Sequence, residues 1–177
     1  SDVCSSDLIG RLVAFLQQLG ALENTLIVLL SDNGASQEGG PIGVIDTFKY
    51  FNGIPERIEE TIARIDDIGG PRSNANYPWG WAQAGNTPGK RYKQNTHGGG
   101  VRDPLIIHWL AGISDRGAVR TQFHHVSDIT PTLMEITGIA PPAAVNGVAQ
   151  MPIHGESMAY TFASENSQSA SRKRVQY

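Results

Sequence analysis

A single cysteine, Cys4, stands in this chain of 177 residues, so an internal disulfide and a cysteine-built zinc cage are both excluded. The redox compartment stays open. An excess of positive charge is also missing: 14 Lys and Arg face 17 Asp and Glu, for a formal net charge of −3. That balance removes the electrostatic footprint of a nucleic-acid-binding domain, and the short cluster Arg172-Lys173-Arg174 reads as a solvated segment. No apolar run approaches the ~20 residues that a membrane span needs. There is no internal repeat, and no low-complexity tract apart from a polar tail.

An initiator Met is absent as well, and the chain stops in polar sequence. We therefore expect an internal-to-C-terminal portion of a longer protein. Residues 9–163 are expected to form part of one domain, which this length can supply with a sizeable core. Residues 164–177 read as a polar tail or the start of a further element, and 1–7 as a candidate non-native extension, because they lack the apolar spacing that follows. Any signal peptide would lie upstream, so compartment and oligomeric state are left open.

What is present is patterned. Ile9, Leu12, Val13, Leu16 and Leu19 recur at helical spacing, with Gly20 placed to end the helix. Residues 25–31 read as a buried strand, and a helix followed by a continuous apolar strand suggests a parallel sheet with covering helices. A loop is expected from Asn33 to Gly53. Pro55 opens a helix whose Ile58, Ile62, Ile65 and Ile68 form one apolar stripe, ended by Gly69-Gly70-Pro71 and expected to pack into the core. Gly69 to Asp103 lacks periodicity but carries Tyr77, Trp79, Trp81 and Tyr92, the composition of a functional loop. Pro104 to Trp109 reads as a second buried strand, and Val119 to Val126 as extended. Asp128 or Ser127 is placed to cap a helix through Leu133 and Ile136 that Gly138 stops. Residues 141–152 read as loop, and Glu156 to Phe162 as one more helical turn.

Chemistry first suggests itself at Ser31-Asp32-Asn33-Gly34, directly after the apolar run Leu26 to Leu30. Open α/β sheets bind ligands at strand ends, and the oxygens of Asp32 and Asn33 suit a hard divalent cation. Asp-Asn-Gly is equally ordinary turn chemistry, and by itself the turn is the commoner explanation. Lys90, Arg91 and Lys93 by themselves are a basic surface. Gly98-Gly99-Gly100 lacks the spacing of a phosphate-binding P-loop and reads as tight backbone packing. His108 sits in an apolar strand and is expected to be a hydrogen-bonded core or rim residue. His124 and His125 are neighbours on an extended segment, point to opposite faces, and are assigned to structure. Trp79 and Trp81 fit an aromatic substrate wall and core packing equally well.

The weighing changes when these segments are taken together. Thr25 to Ser36 with Glu38-Gly39-Gly40 comes first, then Trp79-Gly80-Trp81-Ala82, Asn86-Thr87-Pro88 and Lys93-Gln94-Asn95-Thr96-His97-Gly98-Gly99-Gly100. Pro104 to Trp109, Phe123 to Thr132 and Val145-Asn146-Gly147 complete the series. This ordered set resembles the type I sulfatases, specifically the arylsulfatases, from about Ile9 to the last residue. The resemblance implies an α/β fold of the alkaline-phosphatase-like superfamily, with helices on both faces of a mixed sheet and a cation at the strand edge. It implies hydrolysis of a small sulfated substrate, an aryl or carbohydrate sulfate, with Ca2+ or alternatively Mg2+ as cofactor.

Residue by residue, the resemblance makes Asp32 and Asn33 part of the metal cradle and Lys93 the sulfate-contacting lysine. His97 would contact the leaving group or orient Lys93, since imidazole titrates in the range useful for proton transfer. The family's nucleophile, a formylglycine made within a Cys/Ser-x-Pro-x-Arg type motif, is expected upstream together with two further aspartates. Cys4 is followed by Ser5, Ser6, Asp7 and Leu8, which supply neither the proline nor the arginine, so this portion alone is expected to be inactive. Two alternatives stay open: a phosphoryl or phosphonate ester hydrolase of the same superfamily, and a non-catalytic binding fragment that retains the motifs.

Overall fold

A computed structural model describes residues 5–163; Cys4, the rest of 1–4 and the tail 164–177 lie outside the described residues. Along the chain run α1 (Ser5–Gln18), β1 (Ile27–Leu30), α2 (Thr47–Phe51), α3 (Ile58–Ala63), α4 (Trp79–Gly85) and α5 (Gly98–Val101). Then follow β2 (Leu105–His108), α6 (Ile129–Thr137), β3 (Ala144–Val145) and β4 (Val148–Ala149), with short 3-10 turns between several of them. The mixture is α/β. Two compact units divide it, Ser1–Ile27 with His108–Tyr177 and Val28–Ile107. No helix among the described residues is long and apolar enough to cross a membrane.

In the first unit, α1 forms on the helical spacing of its apolar residues and closes as expected at Gly20, which adopts a left-handed φ of 66°. The Gly20 N–H donates to Gln17 O at 3.0 Å and the Ala21 N–H to Leu16 O at 3.0 Å, the paired bonds of a Schellman motif. Gly138, with φ 69°, ends α6 in the same way, through Ile139 N–H to Met134 O at 3.0 Å. The stretch 141–152 is not all loop. Ala144 pairs with Ala149 and Val145 with Val148, and Asn146 and Gly147, both at positive φ, make the tight turn that such a hairpin requires. Residues 119–126 form no strand. The final turn is 3-10, Ala159–Phe162.

Asp128 is the fully buried hub of this unit. It sits at the N-cap position just before α6, but its carboxylate does not cap that helix. Instead Oδ2 accepts from the His125 N–H at 2.8 Å and Oδ1 from the Glu156 N–H at 3.0 Å, tying the turn before α6 to the segment after the hairpin. Its carbonyl accepts from Thr132 Oγ1 at 2.6 Å, and that hydroxyl accepts from the Met158 N–H at 2.9 Å. A buried donor left without its acceptor costs about 1–3 kcal/mol. Asp128→Ala strands two such donors and is expected to destabilise the protein by about 3 kcal/mol. Urea denaturation reads this, and a loss below about 1 kcal/mol would overturn the hub role.

β1 pairs with β2, and all but the first residue of β1 and the last of β2 fall in the second unit. The Gly34 N–H, just past β1, donates to Gly100 O, just ahead of β2, at 3.3 Å. The segment leaving β1 therefore meets the segment that leads into β2. Neither strand is buried as expected: Leu29 and Leu30 are exposed, and Ile106 is 58% exposed. A two-stranded ribbon has no further layer to cover its faces. The stripe Ile58, Ile62, Ile65 and Ile68 does form on α3 and the 3-10 turn after it, yet all four side chains are exposed instead of packed in a core. The loop expected over 33–53 holds the short α2, whose N-cap Asp46 accepts from the Phe48 N–H at 3.0 Å. Behind it Ile45 is buried, its N–H donating to Glu56 Oε2 at 2.7 Å.

Candidate functional site

The residues after β1 are held by backbone bonds to two later loops. Ser31 Oγ donates to the Asn33 carbonyl at 2.7 Å, and Asn33 Nδ2 donates to the Gly34 carbonyl at 2.9 Å. The Ala35 N–H donates to Asn86 Oδ1 at 3.0 Å, while the Lys93 N–H donates to Ala35 O at 3.1 Å. Asn86 also reaches the second loop, its Nδ2 donating to Arg91 O at 3.1 Å. Lys93 is thereby stitched, through its own backbone, three residues beyond Asp32.

Glycine is needed at this junction because backbone lies directly on backbone. A Cβ on Gly34 would overlap the Gly99 carbonyl, and one on Gly99 would overlap the Arg91 carbonyl. Around Lys93, Arg91 and Gln94 both adopt left-handed conformations, φ 68° and 71°, which cost non-glycine residues about 1–3 kcal/mol. The surrounding bonds hold them there: Gln83 Oε1 accepts from the Arg91 N–H at 3.0 Å, and the Gly99 N–H donates to Lys90 O at 2.8 Å.

The Lys93 ammonium is not a solvated point charge. Nζ lies 3.0 Å from Glu38 Oε1 and donates to Oε2 at 3.2 Å. Glu38 Oε2 also accepts from Ser36 Oγ at 2.9 Å. The hydrogen bond from Lys93, and after it that from Ser36, holds the Glu38 carboxyl below its ordinary range. A carboxyl lowered by folding adds stability that is complete above the unfolded glutamate range and disappears as pH falls through the lowered value. In Glu38→Gln, urea midpoints measured down that acid limb should fall less steeply than in the unaltered protein; an unchanged slope would contradict the pairing.

Asp32 is exposed and makes no hydrogen bond or ion pair among the described residues. Half-buried Asp103, just ahead of β2, has its carboxyl raised above the ordinary range, first by burial and then by the charge of Asp32. Asp32 and Asn33 follow β1 in the chain and Asp103 precedes β2. All are oxygen donors, the set a hard cation takes. Among the described residues no group of three or more His, Cys, Asp or Glu side chains is placed to hold a metal, so three further donors at least would have to come from other groups. His97 is exposed and precedes α5 without capping it through its side chain. A cavity of about 600 Å³ opens in the first unit among Leu110, Ile113, Ile136 and Phe162, and none of Asp32, Asn33, Lys93 or His97 lines it.

Among the other histidines, the Nδ1 of His108 is buried and makes no hydrogen bond among the described residues. His125 Nδ1 serves the turn before α6, 2.9 Å from Ser127 Oγ, and His124 Nδ1 lies 3.9 Å from Asp128 Oδ2. Trp79 and Trp81, on α4, are exposed. Sequence alone assigns no role to Glu38, Asn86 or Asp103. Asn86 and Glu38 stood inside quoted motifs, but nothing local announces a partner 51 or 55 residues away.

The Sulfatase family model matches residues 3–139. The chain is 31% identical over 151 residues to an arylsulfatase of Klebsiella aerogenes, covering 85% of this chain and 31% of that protein. It is 31% identical over 140 residues to an uncharacterised sulfatase of Schizosaccharomyces pombe, covering 76% of this chain and 23% of that protein. With an N-acetylgalactosamine-6-sulfatase of Homo sapiens the identity is 26% over 148 residues, 82% of this chain and 21% of that protein. The chain therefore spans less than a third of the length of these relatives. With most of its residues inside the family match, the chain belongs to the sulfatase family.

Proposed function

We propose that this chain is the C-terminal part of the catalytic domain of an enzyme that hydrolyses sulfate esters, built on an alkaline-phosphatase-like sheet with helices on both faces. The observation that carries the proposal is the stitching of Lys93 to the strand-end loop that bears Asp32 and Asn33, within a chain of this family. Asp32 and Asn33 would hold a divalent cation, Ca2+ or alternatively Mg2+. Asn33 donates its Nδ2 elsewhere, which leaves Oδ1 as the ligand atom. The unpaired carboxylate of Asp32 suits the same ion, and the repulsion it exerts on Asp103 is what a cation relieves. Bound there, the ion would supply Lewis-acid polarisation of sulfuryl oxygens.

In this reading Lys93 donates to an oxygen of the sulfuryl group and offsets the charge that develops as the S–O bond breaks. His97 passes a proton to the leaving-group oxygen. The formylglycine nucleophile and the remaining ligands would come from a segment outside this chain, so the portion by itself is inactive. The substrate class is an aryl or carbohydrate sulfate, since one relative is an arylsulfatase and another an N-acetylgalactosamine-6-sulfatase.

Calorimetric titration of the metal-stripped full-length protein with Ca2+ and with Mg2+, alongside hydrolysis of an aryl sulfate, tests this. Asp32→Ala is expected to weaken cation binding about 10- to 100-fold or more and to lower hydrolysis with it. Cation binding without any turnover would reassign the protein as a binding module. Faster hydrolysis of the matching phosphate ester would reassign its reaction.

A further inference from the structure

Among the contacts around Lys93, one carboxylate stands out by the number of groups that fix it. Glu38 is only 15% exposed at its side chain, against 31% for Lys93. Its two oxygens both face Nζ, at 3.0 and 3.2 Å. Ser36 Oγ donates to Oε2 at 2.9 Å, and that same hydroxyl accepts from Asn76 Nδ2 at 3.1 Å and from the Glu38 N–H at 3.3 Å. Gln94 Nε2 reaches Oε1 at 3.5 Å, while Gln94 Oε1 accepts from Gln37 Nε2 at 2.7 Å. Apart from the long contact to Gln94, the carboxylate is therefore anchored by Ser36, and through it by Asn76, away from the loop that carries Lys93.

A free lysine side chain carries about 2 kcal/mol of rotamer entropy, which a substrate must remove on binding. Here the ordering is done in advance. An ammonium has three donors and no acceptor, so a single carboxylate still leaves it a proton to give.

We propose that Glu38 is the positioning residue for Lys93, fixing the ammonium so that its remaining N–H is presented to a sulfuryl oxygen. This rests on the sulfuryl-binding role of Lys93 given above. A simple tie between loops would give Glu38 a different signature: its loss would lower stability and add to the effect of any other variant.

The test compares Glu38→Gln, Glu38→Asp, Lys93→Ala and the double variant E38Q/K93A in the full-length protein, with kcat on an aryl sulfate expressed per folded molecule. Glu38→Gln is expected to lower kcat about 10- to 100-fold, the usual cost of removing a residue that orients a reacting group. Glu38→Asp should restore part of the loss, and in the Lys93→Ala background Glu38→Gln should add nothing. Full kcat in Glu38→Gln beside a collapsed Lys93→Ala would overturn the positioning role and leave that of Lys93 standing. Additive losses would overturn it too. Should Lys93→Ala itself keep full kcat, the underlying reading fails and this inference with it. If Glu38→Gln does not fold, Glu38→Asp measured alone and with Lys93→Ala decides by the same non-additivity.

Discussion

Lys93→Ala in the full-length protein is expected to lower turnover of an aryl sulfate by about 100- to 1,000-fold, the range found when one preorganised donor to developing charge is removed. The same substitution should scarcely alter stability. Lys93 and Glu38 form a partly exposed pair, and such pairs contribute about 0–1 kcal/mol, whereas the expected loss in the transition state is about 2.7–4 kcal/mol. The two magnitudes separate a chemical role from a structural one in a single experiment. Lys93→Arg should not rescue, because a planar guanidinium presents its donors in a fork that differs from the compact ammonium. Turnover within about threefold of the unaltered protein, well short of the range for a lost donor, would remove Lys93 from the chemistry.

Gly34→Ala is expected to be among the most damaging single methyls in the second unit. The added carbon would overlap the Gly99 carbonyl and lie 3.1 Å from Gly100 Cα, and neither is the free end of a side chain. Gly99 cannot retreat, since it already rests against the Arg91 carbonyl, as Gly100 does against that of Asn95. Overpacking typically costs about 1–3 kcal/mol, and breaking the bond from Gly34 to Gly100 adds about 1 kcal/mol. We expect a loss of about 3 kcal/mol or more, read from urea midpoints, together with weaker cation binding. Gly98→Ala is the control: nothing lies within 4 Å of a Cβ there, and alanine favours the helix. Equal effects at the two positions would refute the account of this junction.

How far these features were legible in the sequence depends on how local their causes are. The start and stop of α1 and α6 follow from apolar spacing and a glycine free to adopt positive φ, all within one stretch. The hairpin at 144–149 was equally legible, because Asn146-Gly147 between valines is a strong turn signal, but the surrounding prolines masked it. Apolar runs, by contrast, do not say what covers them. Leu26 to Leu30 and the isoleucines after Pro55 were expected inside, and the described residues provide no layer over them. Asp32, Asn33 and Lys93 were reached through an ordered set of motifs. Glu38 and Asp103 were not, since their significance comes from partners distant in sequence.

The bond from the Gly34 nitrogen to Gly100 has a chemical consequence besides its mechanical one. An asparagine followed by glycine ages by attack of that next nitrogen on its own side-chain amide, closing a succinimide that opens to aspartate or isoaspartate. At Asn33 the attacking nitrogen has its proton engaged by the Gly100 carbonyl, and the side-chain amide is held on the Gly34 carbonyl. The packing that shapes this corner thus also shields it from slow deamidation, which would otherwise insert a new charge, or an extra backbone carbon, beside Asp32.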